Sequence, residues 1–178
     1  MNIHPLFVHF PIALLVVYAL MELTPRRFVR ALSWWEDAKF FLLTLGILAV
    51  FPTLATGDMA SDIVRGMVPP ALVETHESLA LITTLIFVLL WAPRVVRLFM
   101  RTGWGDMMVQ KWWGSNALFA GIWRIKQRAA GFIMDTPLRP LLALAGLISI
   151  TITGGLGAAI VYGPNVDPFV TVIYHLFF

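Results

Sequence analysis

The chain has 178 residues, 59% hydrophobic and 13% charged, with a net charge of +3, a pI near 9.7 and a mean hydropathy of +0.82. A soluble domain usually carries about 25% charged residues, so there is too little polar surface here to cover a soluble particle, and lipid must cover part of it. The absence of cysteine excludes disulfides, thiolate-bound zinc, iron–sulfur ligation and covalent haem attachment, and leaves open a metal or b-type haem held by histidine.

Four apolar runs reach the roughly 20 residues needed to cross a bilayer. In chain order they are Pro5–Leu23, Ala38–Ala55, Ala71–Ala92 and Leu141–Tyr162. All four are read as helices, because an isolated span in lipid must satisfy its own backbone hydrogen bonds. The first run has no basic segment before it and no Ala-x-Ala-like site after it, so it reads as a retained span and not as a signal peptide.

Lys and Arg are placed unevenly between the runs. Arg26, Arg27, Arg30 and Lys39 lie between the first and second. Arg94, Arg97, Arg101, Lys111, Arg124, Lys126, Arg128 and Arg139 lie between the third and fourth. Arg65 alone falls in the remaining loop. Twelve of the 13 basic side chains therefore share one side, which is the cytoplasmic side by the positive-inside rule. The expected fold is all-α: an integral four-helix bundle of one domain in a bacterial inner membrane, with both termini outside. The bases border apolar runs, as membrane orientation requires, and do not suggest a nucleic-acid partner.

The loop 94–139 interleaves Trp104, Trp112, Trp113 and Trp123 with Lys111, Arg124, Lys126 and Arg128. Its apolar stretch Trp112–Ile125 is too short to span and predicts an amphipathic helix in the cytoplasmic interface, anchored by aromatics and snorkelling bases. After the fourth run, Asp167 followed by Pro168 forms an N-cap and N1 pair. It predicts a short outer helix over Phe169–Phe178 within the tail 163–178.

All four histidines, His4, His9, His76 and His175, fall in the outer half of this topology. Ionisable groups in membrane helices are costly and mark functional sites, and imidazoles converging from different helices are a usual means of holding b-type haem in a bundle. The expectation is one or two haem b groups, with His9 and His76 as axial ligands. His4 and His175 would form a second pair or the polar surroundings. His4 and His9 stand about 140° apart around a helix and do not share a face. Pro11 leaves the carbonyl of Phe7 without its helical donor, loosening the helix around His9. Gly154, Gly155 and Gly157 in the fourth run would admit a macrocycle or another helix. Asp58, Asp62, Glu74, Glu77 and Asp167 read as a solvated, weakly acidic outer face.

The opening Ile3-His4-Pro5-Leu6-Phe7-Val8-His9-Phe10-Pro11-Ile12-Ala13-Leu14, with Thr56-Gly57, His76, Gly154-Gly155 and Val161-Tyr162-Gly163 in the same order, resembles the domain-of-unknown-function 2231 family. The resemblance implies a four-helix membrane protein, haem binding and association with redox partners, and His4, His9 and His76 match that family's recurrent histidines. The sequence departs where the family often places a histidine after the Val-Tyr pair: Gly163-Pro164 stands there, and either His175 takes that role from the tail or the role is absent.

Together these observations predict a haem-bearing, electron-transferring subunit of a membrane redox complex. It would work near the periplasmic face, between a periplasmic cytochrome or similar partner and the quinone pool or another membrane subunit. The alternatives are a cofactor-free anchor or scaffold subunit, and a copper or zinc site on the same histidines.

Overall fold

The computed structural model describes residues 3–112 and 117–178; Trp113, part of the predicted interfacial helix, lies outside them. Among the described residues the regular elements are helical: α1 His4–Leu23, α2 Arg26–Val29, α3 Trp35–Val64, α4 Pro70–Thr102, α5 Trp104–Trp112, α6 Ala117–Asp135, α7 Leu138–Tyr162 and α8 Pro168–His175. Four of them, α1, α3, α4 and α7, are long and apolar enough to cross a membrane. Each contains one of the four apolar runs, so hydropathy located every candidate span.

The helices outrun the hydropathy. The 30 residues of α3 and 33 of α4 rise roughly 45 and 50 Å, against a hydrocarbon thickness of about 30 Å. Apolarity ends where lipid ends, whereas a nucleated helix continues through polar residues of adequate propensity. Thus α3 runs on through Asp58 and Asp62, and α4 through Arg97 and Arg101.

Each long helix packs on two others in a closed order, α1 on α3, α3 on α4, α4 on α7 and α7 on α1. One apolar cluster holds the middle, with Leu15, Tyr18, Leu43, Phe87, Leu90 and Ala143 fully enclosed. Association of helices within lipid depends on close packing and polar contacts, because the tails are as apolar as the side chains. Both devices are present. Thr83 Oγ1 lies 2.6 Å from Ser149 Oγ and 3.2 Å from Thr153 Oγ1 across α4 and α7, and Trp91 Nε1 donates to Thr44 Oγ1 at 3.1 Å across α4 and α3. The Phe7 carbonyl released by Pro11 lies 3.2 Å from Thr53 Oγ1 of α3, whose one proton it shares with the Ala49 carbonyl at 2.9 Å, so the neighbouring helix offsets part of the proline defect.

Gly46 sets the approach of α1 to α3. A Cβ there would lie 2.5 Å from Leu15 Cδ2 and 2.8 Å from its Cγ, inside the enclosed core. Gly46→Ala is therefore expected to lose about 1–2 kcal/mol, overpacking outweighing the gain in helix propensity. Unfolding by SDS titration from mixed micelles would read this as a lower midpoint.

In the loop 94–139 the described residues form two helices, α5 and α6, which pack on each other and on α4; residues 113–116 of the predicted segment Trp112–Ile125 lie outside the described residues. Trp123 faces α5: its Nε1 donates to Asp106 Oδ1 at 2.9 Å, and its ring occupies the space a side chain at Gly105 would need. Arg97 pairs with Asp135 and ties α4 to the end of α6. The exposed face of α6 carries Leu118, Ile122, Ile125 and Phe132. The tail helix forms as its cap predicted, with Asp167 Oδ1 accepting from the Val170 amide at 2.9 Å. It packs through Val170 and Ile173 against Leu72, Leu156 and Ala159.

Candidate functional site

Two polar regions lie at opposite ends of the long helices. The first contains the histidines. His4 opens α1, and its Nδ1 lies 3.0 Å from Thr56 Oγ1 on α3. The Thr56 hydroxyl is directed at the carbonyls of Pro52 at 2.8 Å and Thr53 at 3.1 Å, which leaves its oxygen able to accept from His4, and the Thr53 carbonyl is a further acceptor for the ring. His76 lies two turns into α4 with Nδ1 3.0 Å from the Thr153 carbonyl of α7. A carbonyl only accepts, so His76 carries its proton on Nδ1. Both rings are half-buried.

The remaining predicted ligands are elsewhere. His9 is exposed, and its Nδ1 bonds to the Pro5 carbonyl one turn back on its own helix. His175 is exposed at the end of α8, with its ring edge-on to Tyr174. Of the predicted glycines, Gly155 packs against Ile173 of α8, where a Cβ would come 3.0 Å from Cγ2, and nothing lies within 4 Å of a Cβ built at Gly154. Gly157, the third of them, lies beside the site, where a Cβ would stand 3.1 Å from His76 Cε1, and Gly57 lies beside His4, where a Cβ would stand 3.6 Å from its Cε1. Asp58, Asp62, Glu74, Glu77 and Asp167 are all exposed, as the reading of a solvated acidic face requires.

The second region was not singled out from the sequence. Glu22, near the end of α1, is 1% exposed and surrounded by cations from the three other long helices. Lys39 Nζ of α3 lies 3.1 Å from Oε2, Arg94 Nη2 of α4 donates to the same oxygen at 2.6 Å, and Arg139 Nε of α7 lies 2.6 Å from Oε1. The last contact is an ion pair off the N–H direction, so Oε1 is left without a hydrogen bond. Glu36, half open to solvent, closes the group at 2.6 Å from Lys39 and 3.4 Å from Arg94. The Arg94 guanidinium also lies over the Tyr18 ring at 5.5 Å, within cation–π range. The available signal was Glu22 itself, an acid inside an apolar run that must have a partner. Its partners had been counted only as orienting bases.

No family model, curated protein or solved structure matches the chain. What the two regions can do therefore rests on their chemistry. The cation-ringed carboxylate has its charges engaged with one another and joins all four long helices. The histidine end presents two imidazoles from two helices, each with Nδ1 anchored on a neighbouring helix. Metal-ligating histidines are arranged in this way, the outer hydrogen bond fixing tautomer and ring direction. Among the described residues no three His, Cys, Asp or Glu side chains converge on a common point.

Proposed function

We propose that the chain is a b-type haem subunit of a membrane redox complex, with His4 and His76 as the iron ligands. The observation that carries the proposal is the shared Nδ1 anchoring of these two rings, to Thr56 Oγ1 and to the Thr153 carbonyl. Two imidazoles suffice for haem, because the porphyrin supplies four nitrogens, whereas a structural zinc takes four protein ligands. The resemblance of the opening motif implies the same cofactor. The ligand on α1 is His4 rather than His9, whose ring is held to its own helix and faces outwards.

Haem bound there supplies a one-electron carrier. The chain's own residues do the rest. Thr56 and Thr153 would hold the rings from behind, and Gly157 lets the His76 ring approach α7, where a Cβ would come 3.1 Å from its Cε1. The base distribution supports an outside position for this end, from which electrons would pass near the periplasmic face, between a periplasmic redox partner and the quinone pool or another membrane subunit. Reduced-minus-oxidised spectra of the detergent-purified protein test the proposal, with a b-type α-band as the expected result.

A cofactor-free scaffold subunit is the second reading. It is favoured by the apolar outer tail, where Phe169, Val172, Leu176, Phe177 and Phe178 stand exposed on and after α8. A featureless spectrum with copurifying subunits would select it.

Thr56→Val removes the acceptor from His4 while keeping the shape of the side chain. Loss of such an outer partner typically costs about 10- to 100-fold in affinity. Haem retention during dilution or competition with apomyoglobin is expected to fall by that order.

A further inference from the structure

The buried ion group does not balance its own charge. Lys39, Arg94 and Arg139 are buried, and against these three cations stand two carboxylates, buried Glu22 and half-open Glu36, leaving one positive charge in excess. Uncompensated charge away from water is costly, so the group favours an anion beside it.

A cavity of about 350 Å³ opens at this place, between the turn joining α1 to α2 and the turn joining α6 to α7. At about 30 Å³ per water it has room for roughly ten waters, or a small polar headgroup. Glu22 and Arg139 line its floor, and exposed Arg26 stands at its edge. Asp135 also lines it and is already paired with Arg97. The floor therefore presents guanidinium together with one enclosed oxygen, Glu22 Oε1, that lacks a hydrogen bond.

We propose that this cavity binds a phosphate group carrying a hydrogen-bond donor. Arg26 and Arg139 would meet the phosphate, for which the planar guanidinium is well suited, and the donor would satisfy Glu22 Oε1. A phospholipid headgroup with a hydroxyl or ammonium has this chemistry, and so does free hydrogen phosphate. The site lies at the basic end of the span-forming helices, where lipid headgroups of the adjoining leaflet sit. It is independent of the histidine end and of what binds there.

Native mass spectrometry of the full chain with phosphatidylglycerol, against a diacylglycerol of the same acyl chains, tests the lipid source. Phosphorus NMR titration with inorganic phosphate tests the free ion. Arg26→Gln is the diagnostic variant, since Arg26 is exposed and stands outside the buried group. The dissociation constant of whichever probe binds is expected to rise about tenfold in that variant, the loss of one charge-assisted hydrogen bond. Lipid retention alone assigns the site to the leaflet, and phosphate binding weakened by Arg26→Gln assigns it to the free ion; both support the proposal. Equal retention of phosphatidylglycerol and diacylglycerol with no phosphate binding would overturn it, as would binding that Arg26→Gln leaves unchanged.

Discussion

Glu22→Gln is expected to cost about 3–5 kcal/mol of stability, the loss typical of breaking a buried ion pair and leaving its partner charged. The carboxylate is 1% exposed and is the one acid within 3.1 Å of Lys39, Arg94 and Arg139 together. Glutamine keeps the volume, removes the charge and sets an amide donor among cations that already need acceptors. Three buried cations would then face only Glu36. Because these cations come one each from α3, α4 and α7, the damage should spread to the whole packing arrangement rather than to one helix end. Glu36→Gln is the control. Its side chain is 54% exposed, solvent screens it, and the expected loss is within about 1 kcal/mol. SDS unfolding from mixed micelles compares the two, and equal midpoints would refute a central role for Glu22.

The contrast between Glu22 and the spans shows which features were legible in the sequence. A span is written locally, as a run of apolar residues long enough for the bilayer, and every run from Pro5–Leu23 to Leu141–Tyr162 lies in a long helix. Helix ends were less legible, because α3 and α4 continue into polar sequence that hydropathy reads as loop. The ion group was not legible. Its members are spread from Glu22 to Arg139, and their meeting depends on how α1, α3, α4 and α7 pack. Lys39, Arg94 and Arg139 carried a second signal, membrane orientation, that concealed the first. The partner of Trp123 was not legible either, because Asp106 lies on another helix.

His76→Ala and His4→Ala are each expected to abolish haem binding, while His9→Ala and His175→Ala should leave it near the wild-type level. Each substitution would remove a side chain that would hold the haem, together with the ring orientation set behind it by Thr153 or Thr56. The other two rings are exposed, one bonded to its own helix and one at the end of α8. That His4 and His9 could not share a face followed from helical periodicity alone. Which of them faces inwards did not, because it depends on Thr56 and Thr53 of α3 receiving the start of α1. The same tertiary dependence singles out Gly157 from the candidates Gly154, Gly155 and Gly157, because only the position of His76 distinguishes them.

The haem-to-protein ratio of wild type and the four single-histidine variants, measured as pyridine haemochrome on purified protein, tests the pairing across α1 and α4 most directly. The expected result is about one haem per chain for wild type, His9→Ala and His175→Ala, and none for His4→Ala and His76→Ala. Full haem in His4→Ala and its loss in His9→Ala would contradict the assignment, and no haem in the wild-type protein would contradict the function itself.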